Sequence, residues 1–150
     1  MHRNRGLWWT IVAVALVATA GLALAKAAPK SVVSPSEGIQ WADAGVPGVS
    51  IAAVQGDMKK GASHFYLRYG TGFVAPPHHH SPDHYVTVVS GTLLLTVDGT
   101  EHRLTPGSYF ALTGKALHAA RVEGDQPCVM FVDARGPWDV VLEKSADAKP

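Results

Sequence analysis

Histidine is the residue type in this chain whose spacing most clearly carries chemistry. His78 and His80 flank His79 behind the pair Pro76-Pro77, three residues follow, and His84 comes next. His118 lies further on, after the turn-rich stretch Thr105–Leu117. Neutral imidazole offers a nitrogen lone pair near physiological pH, which makes histidine the commonest metal-ligating side chain. Residues an even number apart on an extended chain point to one face, so 78, 80 and 84 are expected on one side of an extended segment. His79 has the other parity and is expected to face away. A solvated histidine loop is the plain alternative for the local triplet.

Four imidazoles would hold one divalent transition metal ion, with iron, manganese, zinc, nickel and copper all compatible with nitrogen donors. Such a donor set carries no charge, so the ion would keep its full +2 and favour anionic or chelating ligands. Six-fold coordination would leave two positions open for substrate, or for substrate and dioxygen; a closed tetrahedron would make the metal structural. Three further residues are candidate substrate contacts. His64, Tyr66 and Arg68 share one face of their run, and Arg68 could pair with a substrate carboxylate. Tyr85 would join them if the chain turned it inward. The competing reading of that face is a solvated strand surface.

The elements around these residues are short. From Val49 onward, strand-like runs alternate with turn signals: 49–55, 64–69, 85–89, 92–97, 102–104, 108–112, 117–122, 128–132 and 138–142. Asp98-Gly99 is the strongest hairpin signal. No window after residue 30 carries the period of an amphipathic helix, so an all-β sandwich or barrel is expected. Tyr109 and Phe131 read as core aromatics, and Trp138 as packing against the barrel end. The only cysteine, Cys128 in Pro-Cys-Val-Met-Phe-Val, excludes an intrachain disulfide and reads as a buried apolar residue.

The N-terminus has a different composition. Arg3 and Arg5 precede the charge-free run Gly6–Ala25, which reads as a signal peptide or membrane anchor. Residues 26–40 read as a linker, 41–142 as the working domain and 143–150 as a polar tail. Export to a periplasm or beyond follows as an expectation, with membrane contact only through an uncleaved N-terminus. Discounting Arg3 and Arg5, 11 basic residues face 12 acidic ones. A domain this near neutrality, without a basic cluster, offers nucleic acid no electrostatic footprint.

The histidine segment resembles the first cupin motif: Gly72, five residues, His78-x-His80, three residues, His84 where glutamate is usual, six residues, Gly91. The second motif is matched by Gly107, then Thr113-Gly114-Lys115 where Pro-x-Gly is common, then His118. Val122 stands where the family usually has asparagine. The resemblance covers about residues 41–142, including Gly136-Pro137-Trp138. It implies a double-stranded β-helix, or jelly-roll, barrel with the metal inside on His78, His80, His84 and His118. It further implies a small-molecule substrate or ligand and an edge-to-edge homodimer. Among cupin activities, dioxygenase-like cleavage is the first expectation. Binding of a small acid or sugar without turnover is the second, and lyase or isomerase chemistry the third.

Overall fold

The computed structural model describes residues 31–143. The expected leader at 1–25 and the tail beyond Glu143 lie outside them. The described part of the expected linker contains a single 3-10 turn, Ser36–Gly38. The strands are β1 (Ala42–Asp43), β2 (Val49–Gly56), β3 (Ser63–Tyr69), β4 (Val74–His79), β5 (His84–Ser90), β6 (Thr92–Val97), β7 (Thr100–Leu104), β8 (Tyr109–Leu112), β9 (His118–Glu123), β10 (Cys128–Ala134) and β11 (Val141–Leu142). They form two antiparallel sheets, ordered β1-β2-β3-β10-β5-β8 and β11-β4-β9-β6-β7. This is the expected all-β, jelly-roll-like architecture, and no described helix is long and apolar enough to cross a membrane.

Alternating apolar positions decide which faces meet. Phe65 and Leu67 of β3, Val86 and Val88 of β5, and Cys128, Met130 and Val132 of β10 point inward from the first sheet. Ala75 of β4, Leu93 and Leu95 of β6, and Ala120 and Val122 of β9 meet them from the second. The same parity carries the histidines: His84 precedes Val86 and Val88 on β5, and His118 precedes Ala120 and Val122 on β9. The apolar core therefore occupies one end of the interior and the imidazoles the other. Cys128 is fully buried, and burial pushes its thiol up to about 11, which leaves it an unreactive apolar filler.

Several sequence-based expectations are corrected. The run 138–142 is not one strand; only Val141–Leu142 pairs, with His79 and His78 of β4. Trp138 instead gives its backbone N–H to the Met58 carbonyl (2.7 Å), which removes that residue from any ladder. Val74–His79 is a strand despite Pro76 and Pro77, because the ladder with β9 slips between Ala75 and His78. Prolines, which cannot donate, are tolerated at such an irregularity. Tyr109 is 60% exposed rather than core. Phe131 faces outward against Tyr66, their rings 5.2 Å apart.

Two glycine corners set the strand order. Val97 pairs with Thr100 across Asp98 (φ 50°) and Gly99 (φ 75°), so both turn residues are left-handed, as a type I′ hairpin requires. Gly91 (φ 75°) passes the chain from the first sheet to the second, and a Cβ there would stand 2.3 Å from the Pro127 carbonyl oxygen. A left-handed residue with a side chain costs about 1–2 kcal/mol. Gly99→Ala, with open space around it, is expected to cost about that much, whereas Gly91→Ala adds a backbone clash and should exceed roughly 3 kcal/mol. Urea denaturation of both variants checks this; equal losses would show that the corner does not depend on the close approach.

Candidate metal centre

The four histidines reach one cavity from three places. His78 is near the end of β4 and stands opposite His118, the first residue of β9, with ring centroids 4.2 Å apart. His84 opens β5, in the other sheet. His80 sits between them in the turn from β4 to β5. Residues 78, 80 and 84 therefore do not share one extended segment; their convergence comes from two sheets closing on each other. All four are buried, at 2–6% exposure. Nitrogen atoms of His78, His80 and His118 lie within 4.8 Å of one another. His84 flanks that group, its ring 4.8 Å from His80 and 5.9 Å from His118. His79 has the other parity and is only half-buried.

Every one of these rings is oriented by a backbone carbonyl. Nδ1 of His78 donates to Pro76 (2.7 Å), Nδ1 of His84 to Pro82 (3.2 Å) and Nδ1 of His118 to Ala116 (2.9 Å). Nδ1 of His80 donates to the carbonyl of Asp139 (2.5 Å). A carbonyl only accepts, so each Nδ1 carries the proton and each Nε2 keeps its lone pair. Burial holds all four below the ordinary histidine value of 6.5, against the opposing effect of the carbonyls. His80 is pushed down to about 3 and His118 to about 4, with the neighbouring imidazoles adding to the effect of burial. Neutral rings with free Nε2 lone pairs and hydrogen-bonded Nδ1 atoms are the state in which histidine ligates a metal. The donor set fits a transition metal ion.

Two residues that sequence reasoning did not assign to the site complete it. Trp138 stacks on His80 (3.9 Å between centroids, 22° between planes) and presents an edge to His84 at 5.2 Å. The neighbouring Asp139 accepts the hydrogen bond from His80 Nδ1–H with its carbonyl, while its carboxylate accepts from the N–H (2.7 Å) and hydroxyl (2.5 Å) of Ser81. Those Ser81 bonds hold the Asp139 carboxyl below its usual range. The Thr113–Lys115 turn braces the other flank. Gly114 N–H donates to Asp83 Oδ1 (2.6 Å) and Lys115 N–H to the His80 carbonyl (2.8 Å). A Cβ on Gly114 would meet the Ser81 carbonyl oxygen at 2.4 Å.

The cavity has a volume of about 30 Å3. Besides the imidazoles, its wall is Trp138, Phe110 and aliphatic or thioether side chains such as Leu95, Val86 and Met130. Tyr69, the last residue of β3, also lines it, and burial pushes that phenol up to about 12. The structure does not bring Tyr66, Arg68 or Tyr85 to the histidines. On β3 the inward parity belongs to Ser63, Phe65, Leu67 and Tyr69, which leaves Tyr66 and Arg68 on the outer face. There Arg68 lies over the Trp41 ring (4.3 Å) and Tyr66 packs between Trp41 and Phe131. Tyr85 alternates with the inward His84 and Val86, and Arg135 covers its ring. The inward continuation of the apolar pair 65 and 67 to Tyr69 was the signal to follow.

Two antiparallel sheets closing on a cluster of inward histidines define the cupin class of protein. The cupin domain family model matches residues 65–133. The solved structures agree. KdgF from Halomonas sp. aligns with a TM-score of 0.60 at 21% identity, covering 71% of this chain and 94% of that one. An RmlC-like cupin from Shewanella frigidimarina gives 0.59 at 19%, covering 72% and 92%. The polyketide cyclase RemF from Streptomyces resistomycificus gives 0.63 at 18%, covering 80% and 89%. No curated protein matches the chain in sequence. Residues 65–133 are thus a cupin domain.

The depressed histidines tie stability to pH. Unfolded, each ring takes up its proton near 6.5, whereas folded His118 and His80 do so only near 4 and 3. Acid therefore favours the unfolded chain. The metal-free protein should hold its full stability above 6.5 and lose it progressively down to about 4. The slope should approach roughly 1.4 kcal/mol per pH unit for each histidine involved. Urea midpoints measured from pH 7.5 to 4.5 test this, and a flat profile through pH 5 would contradict the buried, neutral assignment.

Proposed function

We propose that the chain is a metal-dependent cupin that holds one divalent transition ion and acts oxidatively on a small organic substrate. His78, His80 and His118 would hold the ion, with His84 as fourth donor. The observation that carries this reading is the set of four Nδ1–carbonyl hydrogen bonds, which leaves four Nε2 lone pairs in one buried cavity. When bound, the ion would supply Lewis acidity and, if iron, manganese or copper, redox chemistry.

The chain's own contribution is positioning and exclusion. The carbonyl bonds fix the ring tautomers, and the Trp138 stack holds the plane of His80. The aliphatic wall lowers the local dielectric and keeps bulk water from the imidazoles. Pockets for drug-sized ligands start near roughly 300 Å3, an order of magnitude above this cavity, so the reading is restricted to a small substrate. RemF is a polyketide cyclase; the cavity of about 30 Å3 in this chain favours a smaller substrate. The proposal includes export, resting on Arg3, Arg5 and the run Gly6–Ala25, and a homodimer, resting on the resemblance alone.

A second reading, ligand binding without turnover, is favoured by one observation. Among the described residues, besides the four histidines, the only titratable side chain lining the cavity is Tyr69, a phenol that burial keeps protonated. Proton transfer to a substrate normally needs a positioned carrier with a pKa near working pH. Oxidative chemistry that takes its protons from a bound substrate has less need of one.

Elemental analysis of natively purified protein should find about one transition metal per chain, and His80→Ala or His118→Ala should lower metal affinity by at least about tenfold, as loss of a ligand or its support does. Undiminished metal content in both variants would reject the site. Oxygen-electrode assays of the metal-replete protein with diketone, phenolic and thiol substrates separate the two readings. Uptake supports the oxidative one. Thermal stabilisation by a ligand recovered unchanged, without uptake, supports binding alone.

A further inference from the structure

We infer that Trp138 is the size filter of the histidine cavity, the residue that decides which ligands reach the imidazoles. This rests on the metal reading above and names what limits its substrate. The indole occupies the interior beside the cluster: it lies flat on His80, edge-on to His84 and edge-on to Phe65, whose ring is 5.1 Å away. Two residues of the cross-strand row that ends at His84 are small. Ser63, Ala134 and His84 stand in one cross-strand row of β3, β10 and β5, and both Ser63 and Ala134 are buried. Small side chains in that row leave room for a large one from elsewhere, and Trp138 packs on the cluster that includes Ala134. Ser63 Oγ, in the same row, has no hydrogen-bond partner among the described residues.

The segment carrying Trp138 is a wall between two spaces. Trp138 lines the inner cavity of about 30 Å3. Its neighbours Pro137 and Asp139, with Ser81, Pro82, Asp83 and Arg135, line an outer groove of about 500 Å3. The wall is tied down on both sides of the indole. Arg135 N–H donates to the Asp83 carbonyl (2.9 Å) and Trp138 N–H to the Met58 carbonyl (2.7 Å). Asp139 is bound to Ser81 and to the His80 ring. An indole so anchored is a fixed stop, and removing it joins the groove to the histidines. A hole of matching shape left by truncating a buried side chain binds a ligand that fills it.

The test uses the full-length chain loaded with Co(II), whose visible spectrum reports on ligands reaching the ion. Azide serves as the small probe and benzimidazole, which matches the lost indole in shape and carries a ligating nitrogen, as the large one. Azide reports any loss of the support that the Trp138 stack gives His80, so each benzimidazole affinity is read relative to the azide affinity of the same protein. Benzimidazole should bind Trp138→Ala at least about tenfold more tightly than the parent, equivalent to about 1.4 kcal/mol, with Trp138→Phe between them. The Phe variant keeps an aromatic ring on His80, so it reports on size even if the Ala variant folds poorly. Equal benzimidazole affinity in the parent and the variants at full cobalt occupancy would overturn the filter alone. Failure of the parent to take up cobalt would overturn the metal reading on which it rests.

Discussion

A buried imidazole must find a partner for its N–H or lose the free energy of desolvating it, and that requirement organises the site. Three of the four rings meet it locally. His78, His84 and His118 each donate to the carbonyl two residues earlier, on Pro76, Pro82 and Ala116. His80 cannot follow that pattern and donates instead to Asp139, 59 residues away in sequence. Its ring is also stacked on Trp138, and its own carbonyl is held by Lys115. The ring nearest the middle of the cluster is thus the one whose orientation depends entirely on tertiary contacts.

The barrel supplies what those contacts need. The two sheets interdigitate Phe65, Val88, Leu93, Val132 and their neighbours at one end, which leaves the histidine end to be closed by loops rather than by side-chain packing from the strands. Three loops do this: residues 80–83, the Thr113–Lys115 turn and the segment after β10. Each bonds to another, through Gly114 to Asp83, Arg135 to Asp83 and Asp139 to Ser81. Lys115 adopts φ 67° within that cluster, a conformation costly for a side-chain-bearing residue and sustained here by the surrounding bonds.

The cupin domain accounts for the scaffold and not for the reaction, since one fold serves many chemistries through its site. What distinguishes this chain is the composition of the cavity. His84 replaces the carboxylate usual at its position, and among the described residues the titratable side chains lining the cavity are the four histidines and Tyr69 alone. A neutral donor set in an apolar wall leaves the charge of any bound cation uncompensated. That arrangement attracts small anionic or readily oxidised ligands and places no protein charge to select among larger ones.

The sequence by itself determined the architecture and the histidines. Period-two alternation, the Asp98-Gly99 hairpin and the Ser90-Gly91 turn follow from local backbone physics, so the runs 49–55, 64–69 and 92–97 were legible as strands from residue order. Alternation reports which residues share a face, however, and not which face is inside. On β3 both parities carry large residues, so Tyr66 and Arg68 could be taken for pocket residues until the second sheet packed against Phe65 and Leu67 and left them outside with Trp41. Only the tertiary structure decided that His78 and His84 come from opposite sheets, and that Trp138 and Asp139 close the site. Those placements rest on hydrogen bonds and ring contacts spanning 50 or more residues, which leave no periodic trace in the chain.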